Sequence, residues 1–131
     1  MQNKWFFLIV SVILLSLISV HASSTVDTEP IKNQITLLEF ASYKLTITNN
    51  AAVKQRYSVY SLQTGQGWAV DTNPLKDRII EIDPGKSYTT TIVARPLEDF
   101  TPGVYYALIA VDSDQGERYE QSLKLYLASE K

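Results

Sequence analysis

Residues 101–127, TPGVYYALIAVDSDQGERYEQSLKLYL, carry the clearest strand signals of the chain. The dipeptide Pro102-Gly103 marks a turn, and the apolar run from Val104 to Val111 that follows it predicts a strand. The segment Asp112 to Gly116 is rich in turn-forming residues and predicts a hairpin. Tyr119 to Leu127 then alternates polar and apolar residues, so we expect it to return antiparallel to the first strand.

Similar short runs with a period of two occur along the rest of the chain, separated by Gly, Pro and Asn signals. No stretch holds a helical apolar stripe with caps. This pattern predicts an all-β protein, an immunoglobulin-like (fibronectin type III-like) two-sheet antiparallel β-sandwich of about seven strands. The other predicted strands are Ile35–Leu38, Ser42–Thr48, Gln55–Ser61, Trp68–Val70, Arg78–Ile82 and Tyr88–Ala94.

The first 22 residues have the features of a signal peptide. Lys4 gives the start one positive charge, and Trp5 to Val20 is an apolar run without charges. Val20-His21-Ala22 places small residues where a signal peptidase reads them, so the sequence predicts cleavage after Ala22. The alternative is an uncleaved membrane anchor at residues 5–20, but this run is shorter than the roughly 20 apolar residues that a spanning helix needs.

The remaining chain is expected to form one secreted or extracytoplasmic domain, at the cell surface or in a periplasm. Residues 23–30 are small and polar and predict a flexible segment, and residues 31–131 the sandwich. All 14 acidic residues and 11 of the 12 basic residues follow Ala22, so the mature net charge is −3. With no basic cluster, nucleic-acid binding is not expected. The chain has no cysteine, which excludes disulfides.

The turn residues, taken in order, resemble a known family. They are Thr46-Ile47-Thr48-Asn49, Gly67-Trp68, Asp83-Pro84-Gly85-Lys86-Ser87 and Pro102-Gly103-x-Tyr105. Their order and spacing are similar to the immunoglobulin-like modules of the alpha-galactosidase-associated and CARDB-like type. Those modules recur in large bacterial and archaeal surface proteins and are appended to secreted glycosidases. The resemblance implies a structural or interaction module without catalytic residues.

Catalytic and metal-binding chemistry has few candidates in this sequence. The one histidine, His21, lies at the leader boundary, so the mature chain lacks the residues of Ser-His-Asp, Cys-His and common zinc sites. Glu98 and Asp99 are adjacent and would point to opposite sides of an extended chain. The segment 112–117 superficially resembles a calcium loop but lacks two required ligands, so a hairpin turn is favoured. We expect no enzyme activity and no cofactor.

Four residues, Trp68, Pro102, Gly103 and Tyr105, are assigned structural roles. Tyr105 follows Pro102-Gly103 at the place where sandwiches set a tyrosine whose hydroxyl bonds to the backbone upstream. Trp68 follows a glycine-rich turn and is expected to cap one end of the sandwich, although an exposed position is the alternative.

A candidate binding face follows from the neighbour of Tyr105. Period two turns Tyr106 outward, together with Leu108 on the same strand. Three strands expected to be adjacent would add Tyr60, Lys124 and Tyr126, and the three tyrosines would form a row. Tyrosine is enriched at protein interfaces, and its ring also stacks on sugars. The alternative is that these tyrosines are simply good strand formers that tolerate exposure.

The sequence therefore supports two functional hypotheses. The first is a non-catalytic module that binds a protein partner or its own copies through the tyrosine-bearing face. The second is a small carbohydrate-binding module of the cell surface or of a secreted glycosidase system, using the same tyrosines or Trp68. The apolar setting around Leu108 favours the first, because sugar binding needs flanking Asp, Asn or Arg side chains.

Overall fold

The structure, a computed structural model, describes residues 23–62, 67–72 and 79–129. These residues form nine β-strands. The strands are β1 (Ser24–Lys32), β2 (Gln34–Ile35), β3 (Ala41–Asn49), β4 (Gln55–Ser61), β5 (Trp68–Asp71), β6 (Ile80–Ile82), β7 (Ser87–Pro96), β8 (Gly103–Ser113) and β9 (Arg118–Leu127). The predicted signal peptide lies outside the described residues.

The strands make two sheets that face each other. The four-stranded sheet has the order β1-β3-β7-β5, and the five-stranded sheet has the order β2-β9-β8-β4-β6. Every pairing is antiparallel except that of β2 with β9. The all-β, two-sheet antiparallel prediction is confirmed, and β9, β8 and β4 are adjacent as expected.

The core lies between the sheets and follows from the period-two pattern of the strands. Along β3, the side chains of Tyr43, Leu45 and Ile47 are at most 2% exposed. Facing residues on β8 and β9, including Ile109 and Leu125, are fully buried. Burial of one such aliphatic side chain contributes about 1.5–3 kcal/mol, so this layer stabilises the fold without disulfides.

The start of the domain differs from the sequence-based prediction. The polar composition of residues 23–30 predicts a flexible segment, but β1 occupies residues 24–32 and pairs with β3. That prediction is wrong because the strand turns Ser24 and Val26 inward while Thr25 and Asp27 face solvent. Only one of those inward residues is apolar, so the alternation is hard to recognise. The hydroxyl of Ser24 is instead satisfied at 2.5 Å by that of Tyr57.

The turn after β6 requires a particular backbone conformation. In the turn after β6, Gly85 has φ +73°, and the N–H of Lys86 donates to the carbonyl of Asp83 at 3.0 Å. A positive φ at this position is the reason for a glycine.

The first predicted strand, Ile35–Leu38, differs from the structure. The observed strand β2 covers only Gln34–Ile35, and a turn follows it.

Candidate interaction surface

One end of the sandwich is closed by a cluster of three aromatic rings. Trp68 and Phe100 stack with centroids 5.1 Å apart and planes 2° apart, and Tyr105 lies 5.6 Å from Trp68 and 5.1 Å from Phe100. Trp68 is only 5% exposed, whereas Pro102 and Gly103, where β8 begins, are both exposed. The structure thus places the rings of Tyr105 and Trp68 in one group that packs against the core, with Trp68 nearly fully buried and Tyr105 partly buried.

The outer surface of the five-stranded sheet carries an exposed apolar patch, which we call the Tyr106 face. Tyr106 is 55% exposed, Leu108 39% and Tyr126 36%. The face consists of Val104, Tyr106 and Leu108 on β8 and Lys124 and Tyr126 on β9. Val104, 49% exposed, is absent from the residues singled out in the sequence, although its spacing of two from Tyr106 indicates the same face.

The register of β8 against β9 brings the two tyrosines of this face together. Tyr106 is opposite Lys124, and Val104 is opposite Tyr126. Tyr106 and Tyr126 are therefore diagonal neighbours, whose backbones lie roughly 7–8 Å apart, within reach of aromatic side chains. The ammonium of Lys124 lies 5.2 Å from the ring centroid of Tyr126. Its hydrogen bond to Tyr126 raises the pKa of Lys124, so the group carries its charge at neutral pH.

Tyr60 lies at the edge of this face, diagonal to Leu108 but out of line with Tyr106 and Tyr126, so the predicted row of three tyrosines is wrong. Its register partner on β8 is Ala110, four residues from Tyr106 and therefore about 13 Å further along the strand. The hydroxyl of Tyr60 donates to Asp112 at 2.8 Å, and Arg118 lies 5.7 Å above its ring. Tyr60 thus belongs to a separate polar group, and its hydrogen bond to Asp112 raises its pKa.

The two outer surfaces of the sandwich differ sharply in chemistry. On the four-stranded sheet, the outward side chains of β3 and β7 include Lys44, Thr46, Thr48, Thr89 and Thr91. The hydroxyls of Thr48 and Ser87 hydrogen-bond to each other at 2.7 Å. Threonine favours strand formation, and its hydroxyl group is compatible with a solvent-exposed sheet surface. Strand formation alone therefore does not require the tyrosine, valine and leucine of the Tyr106 face.

The two acidic segments considered as possible catalytic or calcium sites, Glu98-Asp99 and residues 112–117, lie in a loop and in a hairpin turn. Glu98 and Asp99 lie in the loop between β7 and β8, beside a cleft of about 350 Å³. The segment 112–117 is the β8–β9 hairpin, in which the hydroxyl of Ser113 accepts hydrogen bonds from the N–H groups of Gln115 and Glu117 at 3.3 Å. Within the described ranges, no three His, Cys, Asp or Glu side chains are placed to hold a metal ion.

Comparison with known proteins identifies the architecture. No family model matches the chain, and no curated protein matches it. Among solved structures, a FixG-related protein from Vibrio parahaemolyticus has a TM-score of 0.56 at 13% identity and covers 82% of this chain and 98% of its own. The cupredoxin domain of amoB from Nitrosocaldus yellowstonii has a TM-score of 0.62 at 8% identity and covers 84% of this chain and 90% of its own.

A third match bears on the family that the turn residues resemble. The CARDB domain of a Pyrococcus furiosus protein, solved in complex with di-metal ions, has a TM-score of 0.50 at 13% identity and covers 82% of this chain and 94% of its own. The chain has an immunoglobulin-like β-sandwich fold. At these identities the likeness concerns the fold, which is CARDB-like in a broad sense. Within this immunoglobulin-like fold, the Tyr106 face has to be interpreted from its own chemistry.

Proposed function

We propose that the protein is a non-catalytic extracytoplasmic interaction module that binds a protein, either a different partner or a second copy, through the Tyr106 face. The observation that carries this proposal is the grouping of Val104, Tyr106, Leu108 and Tyr126, each more than a third exposed, on the outer side of one sheet. Contiguous exposed apolar patches on soluble domains mark sites of contact. The outer surface of the other sheet is rich in threonine, so this sandwich does not need exposed apolar side chains to form an outer sheet surface.

The energetics favour a docking role for this face. Each half-exposed side chain of this size gains about 1 kcal/mol when a partner covers it, since full burial yields roughly 1.5–3 kcal/mol. Tyr106 and Tyr126 add rigid aromatic area, which is typical of the residues that dominate binding energy at interfaces. Lys124 supplies one positive charge at the centre of the patch, opposite Tyr106. A partner with an apolar surface and one carboxylate would match this arrangement.

Carbohydrate binding, the alternative hypothesis, fits the geometry less well. A sugar ring needs an open aromatic face and flanking groups that bond its hydroxyls. The ammonium of Lys124 lies over the ring of Tyr126 and occupies one side of it. The register neighbours of the two tyrosines are Val104, Lys124 and Gln34, with no Asp, Asn or Arg among them, and the side-chain amide of nearby Asn33 donates to the carbonyl of Lys124. The face is thus closer in chemistry to a protein interface.

The extracytoplasmic location rests on the leader-like sequence of residues 1–22. The described ranges contain no helix long and apolar enough to cross a bilayer. An intact leader would instead anchor the chain through residues 5–20. Extraction of membranes with alkaline carbonate separates these cases, because a cleaved protein is released and an anchored one is retained.

Site-specific photo-crosslinking tests the proposed face. A photoreactive phenylalanine analogue at Tyr106 is expected to give covalent protein adducts in cells, and a self-associating module would give an adduct of twice the chain mass. The matched control places the same analogue at Thr89, which is also exposed and central in its sheet. The proposal fails if position 106 gives no protein adduct, or none beyond those of position 89. Retention on a glycan array that is lost in Tyr106→Ala would support the carbohydrate alternative.

A further inference from the structure

Ser23, which immediately precedes β1, is held in place by hydrogen bonds of its hydroxyl and backbone carbonyl. Its hydroxyl donates a hydrogen bond to the carboxylate of Glu117, in the β8–β9 turn. Its backbone carbonyl accepts from the N–H of Asn50 at 2.9 Å and from the side-chain amide of Gln55 at 3.2 Å. Ser23 therefore ties the start of β1 to two loops at the same end of the sandwich.

Glu117 is positioned as an acceptor for this residue. The hydroxyl of Tyr119 donates to its second carboxylate oxygen, and its own N–H bonds to the hydroxyl of Ser113. Among the described residues, none of the ion pairs involves Glu117. Asp114, in the same turn, is also negative. This carboxylate thus has hydroxyl and amide donors around it and, within the described ranges, no cation in an ion pair with it.

The electrostatics agree with this geometry. The pKa of the Glu117 carboxyl is held below its usual value by hydrogen bonds from the hydroxyls of Ser23 and Tyr119 and from the backbone N–H of Ser23. The carboxylate therefore remains ionised near the nitrogen atom of Ser23. The hydroxyl that donates to this carboxylate belongs to the same residue as the nitrogen, so an ammonium on Ser23 would lie within a few ångströms of Glu117, where a charge-assisted hydrogen bond is stronger than a neutral one.

We infer that Ser23 is the first residue of the mature protein and that Glu117 binds its α-ammonium group. A signal peptidase would hydrolyse the Ala22–Ser23 peptide bond: the C–N bond breaks, water gives its hydroxyl to the carbonyl carbon of Ala22, and the nitrogen of Ser23 takes up protons to become an ammonium. The new cation arises beside the Glu117 carboxylate. Cleavage would thus convert a neutral amide contact into an ion pair that fastens β1 to the β8–β9 turn.

The N terminus of the exported protein is the first measurement. The full chain is expressed with its own leader, and the intact mass of the purified protein is determined. The mass of residues 23–131 is expected. A start at any other residue, or retention of the leader, overturns the inference, since the ammonium would then not be on Ser23.

The state of the amine is the second measurement. Trace acetylation at pH 7, read from the N-terminal peptide by mass spectrometry, reports the unprotonated fraction of the α-amine. We expect acetylation in the native protein to be about two- to fivefold slower than in Glu117→Gln, the range that partly exposed ion pairs produce. The control is Glu120→Gln, an exposed position on the adjacent strand that leaves Glu117 intact.

A second variant separates the ammonium from the hydroxyl. Ser23→Ala removes the hydroxyl contact with Glu117 but keeps the amine and a small residue after the cleavage site. Acetylation should stay slow in this variant and become fast only when Glu117 is changed. Equal rates in the native protein and in Glu117→Gln, with both proteins folded by circular dichroism, would falsify the ion pair. Glu117→Gln is expected to fold, because the glutamine oxygen can accept from one of the two hydroxyls while its amide N–H donates to the oxygen of the other.

Discussion

The hydroxyl of Tyr105 donates a 2.6 Å hydrogen bond to the carbonyl oxygen of Thr101, four residues earlier in the chain. This bond fixes the turn that leads into β8, while the ring packs against Trp68 and Phe100. We expect Tyr105→Phe to lower the free energy of unfolding by about 0.5–1.5 kcal/mol through loss of the hydrogen bond. Tyr105→Ala should cost about 3 kcal/mol or more, because it also removes the ring. Urea denaturation of both variants measures the two contributions, and equal losses would contradict this division.

The sequence was sufficient to predict the fold because most strands alternate clearly. In β3 and β9, apolar residues at every second position are those that the structure buries. β1 was not predicted because one of its buried positions, Ser24, is polar and its hydroxyl is satisfied by Tyr57, 33 residues away in the sequence. Such pairing is a property of the assembled sandwich and leaves no local signal in composition or periodicity.

The candidate face was predicted only in part, because the sequence pattern indicates the side of the sheet but not the register between strands. A period of two determines which side of the sheet a residue faces, so Tyr106, Leu108, Lys124 and Tyr126 were assigned to one surface. It does not determine how far each strand slides along its neighbour. The pairing of Tyr57 with Ser113 sets that offset for β4 and carries Tyr60 away to Asp112. A register shift of this kind depends on turn geometry and core packing together.

Asn49 offers a test of the buried polar cluster at the opposite end from Tyr105. Its side-chain N–H groups donate to the carbonyls of Val53 at 2.9 Å and Ile82 at 2.8 Å, and its oxygen accepts from Ala51 and Gln55 at 2.9 Å. Asn49→Ala should destabilise the protein by about 3 kcal/mol or more, because several buried partners lose their bonds at once. The exposed neighbour gives the control: Asn50→Ala should cost under about 1 kcal/mol in the same chemical denaturation.

Gly67 tests the packing of the aromatic cluster from the backbone side. A Cβ atom at this position would lie 2.6 Å from Cζ of Phe100, and the backbone has φ +82°. Gly67→Ala therefore combines backbone strain with a clash against a packed ring, and we expect a loss of about 2–4 kcal/mol in unfolding free energy.

Gly116 is the matched control for this substitution. It has the same φ of +82°, but a Cβ atom at this position would have no neighbour within 4 Å, so Gly116→Ala should show the backbone cost alone, about 1 kcal/mol. The difference between the two thermal or chemical denaturation curves isolates the contact with Phe100. If both variants lose the same stability, the close approach of Gly67 to the ring has no energetic consequence.

Tyr43 predicts a loss of stability in alkali. Burial in the core raises the pKa of its phenol to about 12, and its hydroxyl donates to the carbonyl of Lys124 at 2.7 Å. An unfolded tyrosine ionises near pH 10, so the folded pKa is the higher of the two. The contribution of Tyr43 is therefore fully present below about pH 10 and is lost as the pH rises toward the folded pKa, by up to about 1.4 kcal/mol per pH unit.

Tyr43→Phe, which cannot ionise, should be less stable at pH 7 but lose less stability between pH 9 and about 12. Unfolding curves at a series of pH values measure both slopes. Parallel slopes for the native protein and Tyr43→Phe would show that another group governs the alkaline transition.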